Sequence, residues 1–210
     1  MFYEPSKRNH GLPHDPLVAI VTPRPIGWIS TINSKGHANL APYSFFNLVS
    51  GRLPVVMFSS ENSAKDKDSI TNVREHPEFV CNLATWDLRE AMNDTSPPFP
   101  PEIDEMQVAR LTPAPCNMIK VPRVAEAPCA LECKLLKILK LDALDGTPVP
   151  TTLVFGQIVG IHIEDRFIKD GRLDTAAMKP LARLGYNEYA VVDEVFRMDR
   201  PVYPATKNPY

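Results

Sequence analysis

TPRPIGWISTINSKGHANLAPYSFFN, residues 22–47, is the stretch whose reading decides the fold. Pro23-Arg24-Pro25 leads into an apolar run, Gly27 to Asn33. That run ends in a Ser34-Lys35-Gly36 turn, where glycine supplies the positive φ a tight reversal needs. The chain then returns through Ala38 to Leu48, where small and polar residues are interspersed with the aromatics Tyr43, Phe45 and Phe46. A core strand has no use for that mixture. A pocket for a flat ring with a polar edge does: hydroxyls and backbone amides meet the edge, and aromatics cover the face.

Outward from this stretch, short apolar runs repeat. Leu17 to Val21, Val55 to Ser59, Glu78 to Ala84, Ala130 to Leu141, Thr152 to Glu164 and Tyr189 to Phe196 all read as strands. Short helices are expected at Asp68 to His76, with Asp68 as N-cap, and at Thr85 to Asn93, capped by Thr85. Met178 to Leu184 reads as another, and a helical turn falls near Glu102 to Ala109. The chain has 22 prolines in 210 residues, about double the usual ~5%, and long helices do not survive that punctuation. With about seven or eight strands and no βα rhythm, the fold class is mainly β, a closed or split antiparallel barrel with short peripheral helices. Residues 1–16 read as an N-terminal arm, 17–201 as one domain and 202–210 as a tail.

A formal net charge of −2 gives no footprint for nucleic acid. The apolar runs are too short to span a bilayer, and no basic segment precedes an apolar one, so no membrane and a cytoplasmic location are expected. Cys81, Cys116, Cys129 and Cys133 contain no C-x-x-C pair, which argues against a disulfide framework. His162 and Glu164 share a strand face, but two ligands are too few for a metal, and none is expected.

Three constellations carry chemistry. Ser59-Ser60 and the run through Lys65, Lys67, Asp68 and Ser69 pass from a strand end into a helix start. Unpaired N–H groups, partial positive charge and two lysines there attract phosphate; the alternative is an ordinary capped, solvated loop. Ser30, Thr31 and the run Asn39 to Asn47 are placed to face a flavin, whose pyrimidine edge suits backbone amides and Asn or Ser side chains. Tyr43, Phe45 and Phe46 either shield that ring or fill the core, and Arg24 meets either a phosphate or a carboxylate. Arg183-Leu184-Gly185-Tyr186-Asn187-Glu188-Tyr189 sets a cation and two phenols beside a glycine. It either closes over a ligand or ends a helix at Gly185. Neither G-x-x-x-x-G-K-[ST], G-x-G-x-x-G after a strand, nor G-x-S-x-G occurs.

PRPIGWIST (23–31), NLAPYSFFN (39–47), KDS-x-x-NVRE (67–75) and FVCNLAT (79–85) are followed by AMNDTSPPFPPEIDE (91–105) and PRVAEAPCALECKLL (122–136). FGQIVGIHIED (156–165) and RLGYNEYAVVDEVFRMDRP (183–201) complete the series. In this order, over nearly the whole chain, they resemble the flavin reductase-like family of FMN-binding split-barrel proteins. That family includes flavoredoxin and the reductase components of two-component monooxygenases. The resemblance implies a six-stranded Greek-key split barrel, a homodimer, and FMN near the subunit interface. It implies that Ser59, Ser60, Lys65, Lys67, Asp68 and Ser69 serve the FMN phosphate, with Ser69 in place of the family's Thr. It implies that Ser30, Thr31 and the run Ala41, Pro42, Tyr43, Ser44 to Asn47 serve the ribityl chain and ring. Many relatives carry Gly-Asp-His before a later strand, tied to nicotinamide use. Here Pro150-Thr151-Thr152-Leu153-Val154-Phe155-Gly156 has neither Asp nor His. That departure weighs against rapid NAD(P)H-driven release of reduced flavin and leaves FMN binding untouched. The expected function is an FMN-dependent oxidoreductase fed by NAD(P)H, with an electron carrier reduced by a protein partner as the alternative. A barrel holding haem or another planar ligand is a third reading, against which the phosphate-type loop argues.

Overall fold

The computed structural model describes residues 1–61 and 66–200. In chain order the elements are α1 (Leu17–Ile20), β1 (Arg24–Pro25), β2 (Gly27–Ile32), β3 (Ala38–Tyr43), β4 (Phe46–Ser50), β5 (Val55–Glu61), α2 (Asp68–Glu75) and β6 (Glu78–Leu83). There follow α3 (Arg89–Asp94), α4 (Glu105–Val108), β7 (Pro113–Ala114), β8 (Arg123–Val124), β9 (Cys129–Asp142) and β10 (Pro148–Ile163). The chain closes with β11 (Ile168–Lys169), β12 (Arg172–Leu173), α5 (Thr175–Met178), β13 (Leu181–Arg183) and β14 (Tyr189–Val191).

Seven strands make one sheet in the order β3-β2-β6-β9-β10-β5-β4, and the pairings along it are antiparallel. Its two edges, β3 and β4, are consecutive in the chain and separated only by Ser44 and Phe45. Laid flat, strands spaced at ~4.8 Å would put those edges roughly 29 Å apart. The link from Tyr43 to Phe46 reaches at most about 11 Å. The sheet must therefore curl on itself, and the split of the barrel falls between β3 and β4. The Ser59 N–H donating to Phe45 O at 2.8 Å helps to hold that seam.

The barrel interior is packed by Ile29, Val56, Phe58, Phe79, Cys81, Cys133 and Val154, with α2 adding Ile70 and Val73. Gly156 lies where a Cβ would run into the Phe79 ring, so glycine is what lets β10 pass over that side chain. A second cluster, around Trp28, Leu40, Met92 and Met106, packs the outer face against α3 and α4. Trp28 Nε1 donates there to Thr95 Oγ1 at 2.9 Å, satisfying the buried indole.

Several expectations are corrected. Leu17 to Val21 forms a helical turn rather than a strand. The run Ala38 to Leu48 is two strands, broken at Ser44-Phe45. Asp68 is the first helical residue and Lys67 the N-cap. Met178 to Leu184 is not a helix: Lys179 turns left-handed (φ 49) and, beyond Pro180, Leu181–Arg183 is a strand. Gly185 stops no helix; it admits Ala19, whose Cβ would lie 2.5 Å from a Cβ at that position. Among the described residues no helix is long and apolar enough to cross a membrane.

Candidate functional site

Two hollows meet along β3. The first, about 390 Å³, lies between β3 (Asn39, Ala41, Pro42, Tyr43), the start of α2 (Lys67, Asp68, Ser69) and the loop Ser96-Pro97-Pro98-Phe99. The second, about 370 Å³, is lined by Arg24, Ser44, Phe45, Asn93, Tyr186 and Tyr189 among others. Pro42 and Ser96 belong to both, so they form one elongated cleft. Each lobe falls within the ~300–1,000 Å³ typical of cofactor sites.

The first lobe holds the start of α2. Thr31 Oγ1 accepts a 3.0 Å bond from Asn72 Nδ2, which pins α2 to β2 and so aims its N-terminus. The Lys67 side chain forms no cap, and its ammonium lies 5.4 Å from the centre of the Tyr43 ring. Asn39 Nδ2 donates to Ser69 Oγ at 3.0 Å. Tyr43 Oη and Ser60 Oγ are buried without a hydrogen-bond partner. Ser60 and Ser69 lie near enough to influence Tyr43's ionisation, yet neither makes a full hydrogen bond to its hydroxyl. Burial pushes that phenol up to about 12, so it is a neutral donor at physiological pH. Negative charge is restrained here. Asp66 is paired with Arg74 at 3.0 Å, and burial raises the Asp68 and Glu105 carboxyls above their ordinary values. Glu105 also accepts the Leu40 N–H at 3.0 Å, closing off part of the β3 edge.

The second lobe is the aromatic end. Phe45, Tyr186 and Tyr189 line it together with Ile26, Met92 and Asn93. Arg183 bonds its own hairpin: Nη1 donates to Tyr189 Oη at 2.5 Å and Nη2 to Tyr186 O, with the guanidinium 4.6 Å from the Tyr189 ring centre.

The residues singled out from sequence separate into groups. Ala41, Pro42, Tyr43, Lys67, Asp68 and Ser69 line the first lobe, and Arg24, Pro42 and Ser44 the second. Ser59 and Ser60 are buried at the end of β5, Ser60 behind Tyr43. Ser30 is away from the cleft: its Oγ donates to Pro122 O at 2.7 Å and accepts from Asn82. Thr31 is likewise buried and serves α2. Asn47 is exposed on the outer edge strand, its Oδ1 taken by the Leu48 N–H at 2.8 Å. Lys65 lies outside the described residues. Asn39, from the run expected to face the ring, also lines the first lobe; Ser96 to Phe99, Asn93 and Glu105 are lining residues that the sequence reading does not single out, and the Pro-rich run 96–101 is the available signal.

Arg24 is held by backbone carbonyls rather than by a carboxylate of the described residues. Its guanidinium donates to Val18 O (2.5 Å), Val21 O (2.6 Å) and Leu184 O (2.7 Å), tying α1 to the end of β13. Arg24→Lys keeps the charge but loses the planar fork. It should cost about 1.5–3 kcal/mol, the worth of hydrogen bonds to a charged group. An unaltered melting temperature would show that this tie does not hold the structure.

The model for the flavin reductase like domain matches residues 20–179, and the chain belongs to that family. Its fold is the family's split barrel. An uncharacterized protein of Halalkalibacterium halodurans is 35% identical over 93% of this chain and 92% of its own. Nitrilotriacetate monooxygenase component B from Bacillus cereus superposes with a TM-score of 0.86 at 30% identity, covering 94% of this chain and 98% of that one. Pseudomonas fluorescens 2-nitrobenzoate 2-nitroreductase gives 0.82 at 27% identity, covering 99% and 100%.

Proposed function

We propose that the two-lobed cleft binds FMN and that the protein is an oxidoreductase of flavin reductase type, taking electrons from NAD(P)H. The observation that carries this reading is the sorting of chemistry along one cleft. A helix N-terminus with Lys67 and the unpartnered Tyr43 hydroxyl lie at one end, and an aromatic lobe lies at the other. That polarity suits a ligand with a phosphate at one end and a flat ring at the other. Bound FMN would supply the redox chemistry, accepting a hydride and passing electrons on one or two at a time. The chain's own work is to hold the phosphate at α2 and Lys67 and to offer hydroxyls to the ribityl chain. Phe45 and Tyr186 cover the ring, while the wall Pro97-Pro98-Phe99 keeps water out. Homodimer formation belongs to the same proposal, supported by the exposed Leu48, Val49 and Leu53 on and beside edge strand β4.

A carrier reduced by a protein partner is the second reading, and one observation favours it. The segment 150–156, where many relatives carry Asp and His, lies within β10. Residues Thr151 to Gln157 pair with β5 without a break, so no loop rises there to meet a nicotinamide.

The test is the visible spectrum of the protein after FMN is added and the excess removed, then anaerobic addition of NADH or NADPH. A retained flavin spectrum that bleaches rapidly supports the reductase. Retention with bleaching only by dithionite supports the carrier. A colourless protein removes both.

A further inference from the structure

Away from the cleft, three side chains from distant parts of the sequence converge on the outer face of β9 and β10. Glu132 on β9 is 1% exposed, and its carboxylate is held from two sides. Oε1 accepts from Asn117 N at 2.8 Å and Oε2 from Met118 N at 2.7 Å. His162 on β10 brings Nε2 to 2.6 Å from Glu132 Oε1. Cys116, in the loop after β7, adds a thiol, and the three ligand atoms all lie within 4.8 Å of one another. We propose that Cys116, Glu132 and His162 bind a divalent cation of the zinc class and fasten the segment 116–121 to the sheet.

Four features argue for a built site. The donor set is mixed sulfur, nitrogen and oxygen, the combination that zinc accepts at bond lengths of ~2.0–2.3 Å. The carboxylate is oriented by two backbone N–H groups before any metal arrives, as second-shell donors orient metal ligands. The register between β9 and β10 shifts between Ile158 and Gly160, an irregularity of the kind that re-aims side chains. Gly160 faces Glu132, and a Cβ there would lie 3.0 Å from the carboxyl carbon, so the missing side chain makes room for the acid.

A dication would make the Cys116 thiolate and the Glu132 carboxylate joint partners instead of competitors. It would take the place of the proton between His162 and Glu132, and those two atoms need separate by only ~0.7 Å to reach tetrahedral spacing. Cys116 and His162 are each partly exposed, which leaves an entry path and a fourth position for water.

The probes are Zn²⁺ and Co²⁺, added to the full chain after chelator treatment. Uptake of about one Co²⁺ per chain is expected, with a thiolate-to-metal charge-transfer band in a difference spectrum against flavin-matched protein. Zn²⁺ should displace the cobalt and raise the melting temperature. Cys116→Ser should abolish the band. Cys116→Ser and His162→Gln should each weaken uptake by at least ~10–100-fold, the cost of losing even an outer-shell partner. Cys129→Ser should change neither readout. Absence of stoichiometric uptake overturns the proposal, as does uptake that survives both variants or a band that follows Cys129. Should Cys116→Ser not fold, His162→Gln decides.

Discussion

Lys67→Glu should lower FMN affinity by about 100-fold or more and leave riboflavin affinity and the flavin-free fold unchanged. Eight residues of helix α2 end in N–H groups facing the first lobe, and the N-cap side chain forms no cap. The helix end carries roughly half a positive charge, and Lys67 adds a full one to the described wall of that lobe. A charge-assisted hydrogen bond to phosphate is worth about 1.5–3 kcal/mol, which is ~10–150-fold in affinity. Replacing the cation with a carboxylate adds repulsion to that loss. Stability should not suffer, because an acidic residue at a helix N-terminus is favoured by about 0.3–1 kcal/mol. Riboflavin has the ring and the ribityl chain without the phosphate. Titrating both ligands therefore separates loss of the phosphate site from general damage to the cleft. An equal fall for both would remove the phosphate from this end of the cleft.

The distribution of charge around that lobe was partly legible from sequence, and the reason is local. A strand end rich in Ser, followed by lysines and a short amphipathic helix, is a pattern that needs no tertiary information. Ser69 and Lys67 did come to the cleft. Ser30 and Thr31 did not, because a hydroxyl on a strand gives no sign of which face it takes. Here Ser30 satisfies Pro122 O and Thr31 satisfies Asn72, both in the interior. Arg24 carries a similar ambiguity. Its sequence neighbours cannot show that its two terminal nitrogens already donate to three carbonyls, one of them 160 residues away.

The fold shows the same division. That the chain is a barrel followed from many short strands and frequent prolines. That Ser44-Phe45 joins the two edges of one sheet was hidden, because edge position is a property of the assembled sheet. Pro180 did carry a usable signal against a helix over 178–184, since proline inside a helix removes a hydrogen bond and clashes with the preceding turn. The cluster of Cys116, Glu132 and His162 could not be read at all. Its members are far apart in sequence, and His162 was weighed only against its strand neighbour Glu164.

Phe79→Ala should cost about 3–5 kcal/mol, the usual loss for a buried aromatic cut back to a methyl group. For a chain of this size that lowers the melting temperature by roughly 6–20 °C. Phe79 is fully buried and meets Phe58 edge-on at 5.4 Å, and Phe58 in turn lies 5.0 Å from the Tyr43 ring on the cleft wall. The loss should therefore reach the cleft, and FMN affinity should fall as Tyr43 loses its backing. Gly156→Ala provides the internal check. In the natural background its Cβ collides with the Phe79 ring, and overpacking of that kind costs about 1–3 kcal/mol. With Phe79 already cut to Ala the space is open, apart from Cys133 Cβ at 3.2 Å. The same change should then cost little, or gain up to ~1 kcal/mol by restricting the unfolded chain. The two substitutions should couple by about 1–3 kcal/mol, a value that denaturant unfolding of the two single variants and the double variant measures directly. Strict additivity would mean that β10 does not pass over the Phe79 ring, and that the glycine in Phe155-Gly156-Gln157 serves some purpose other than close packing.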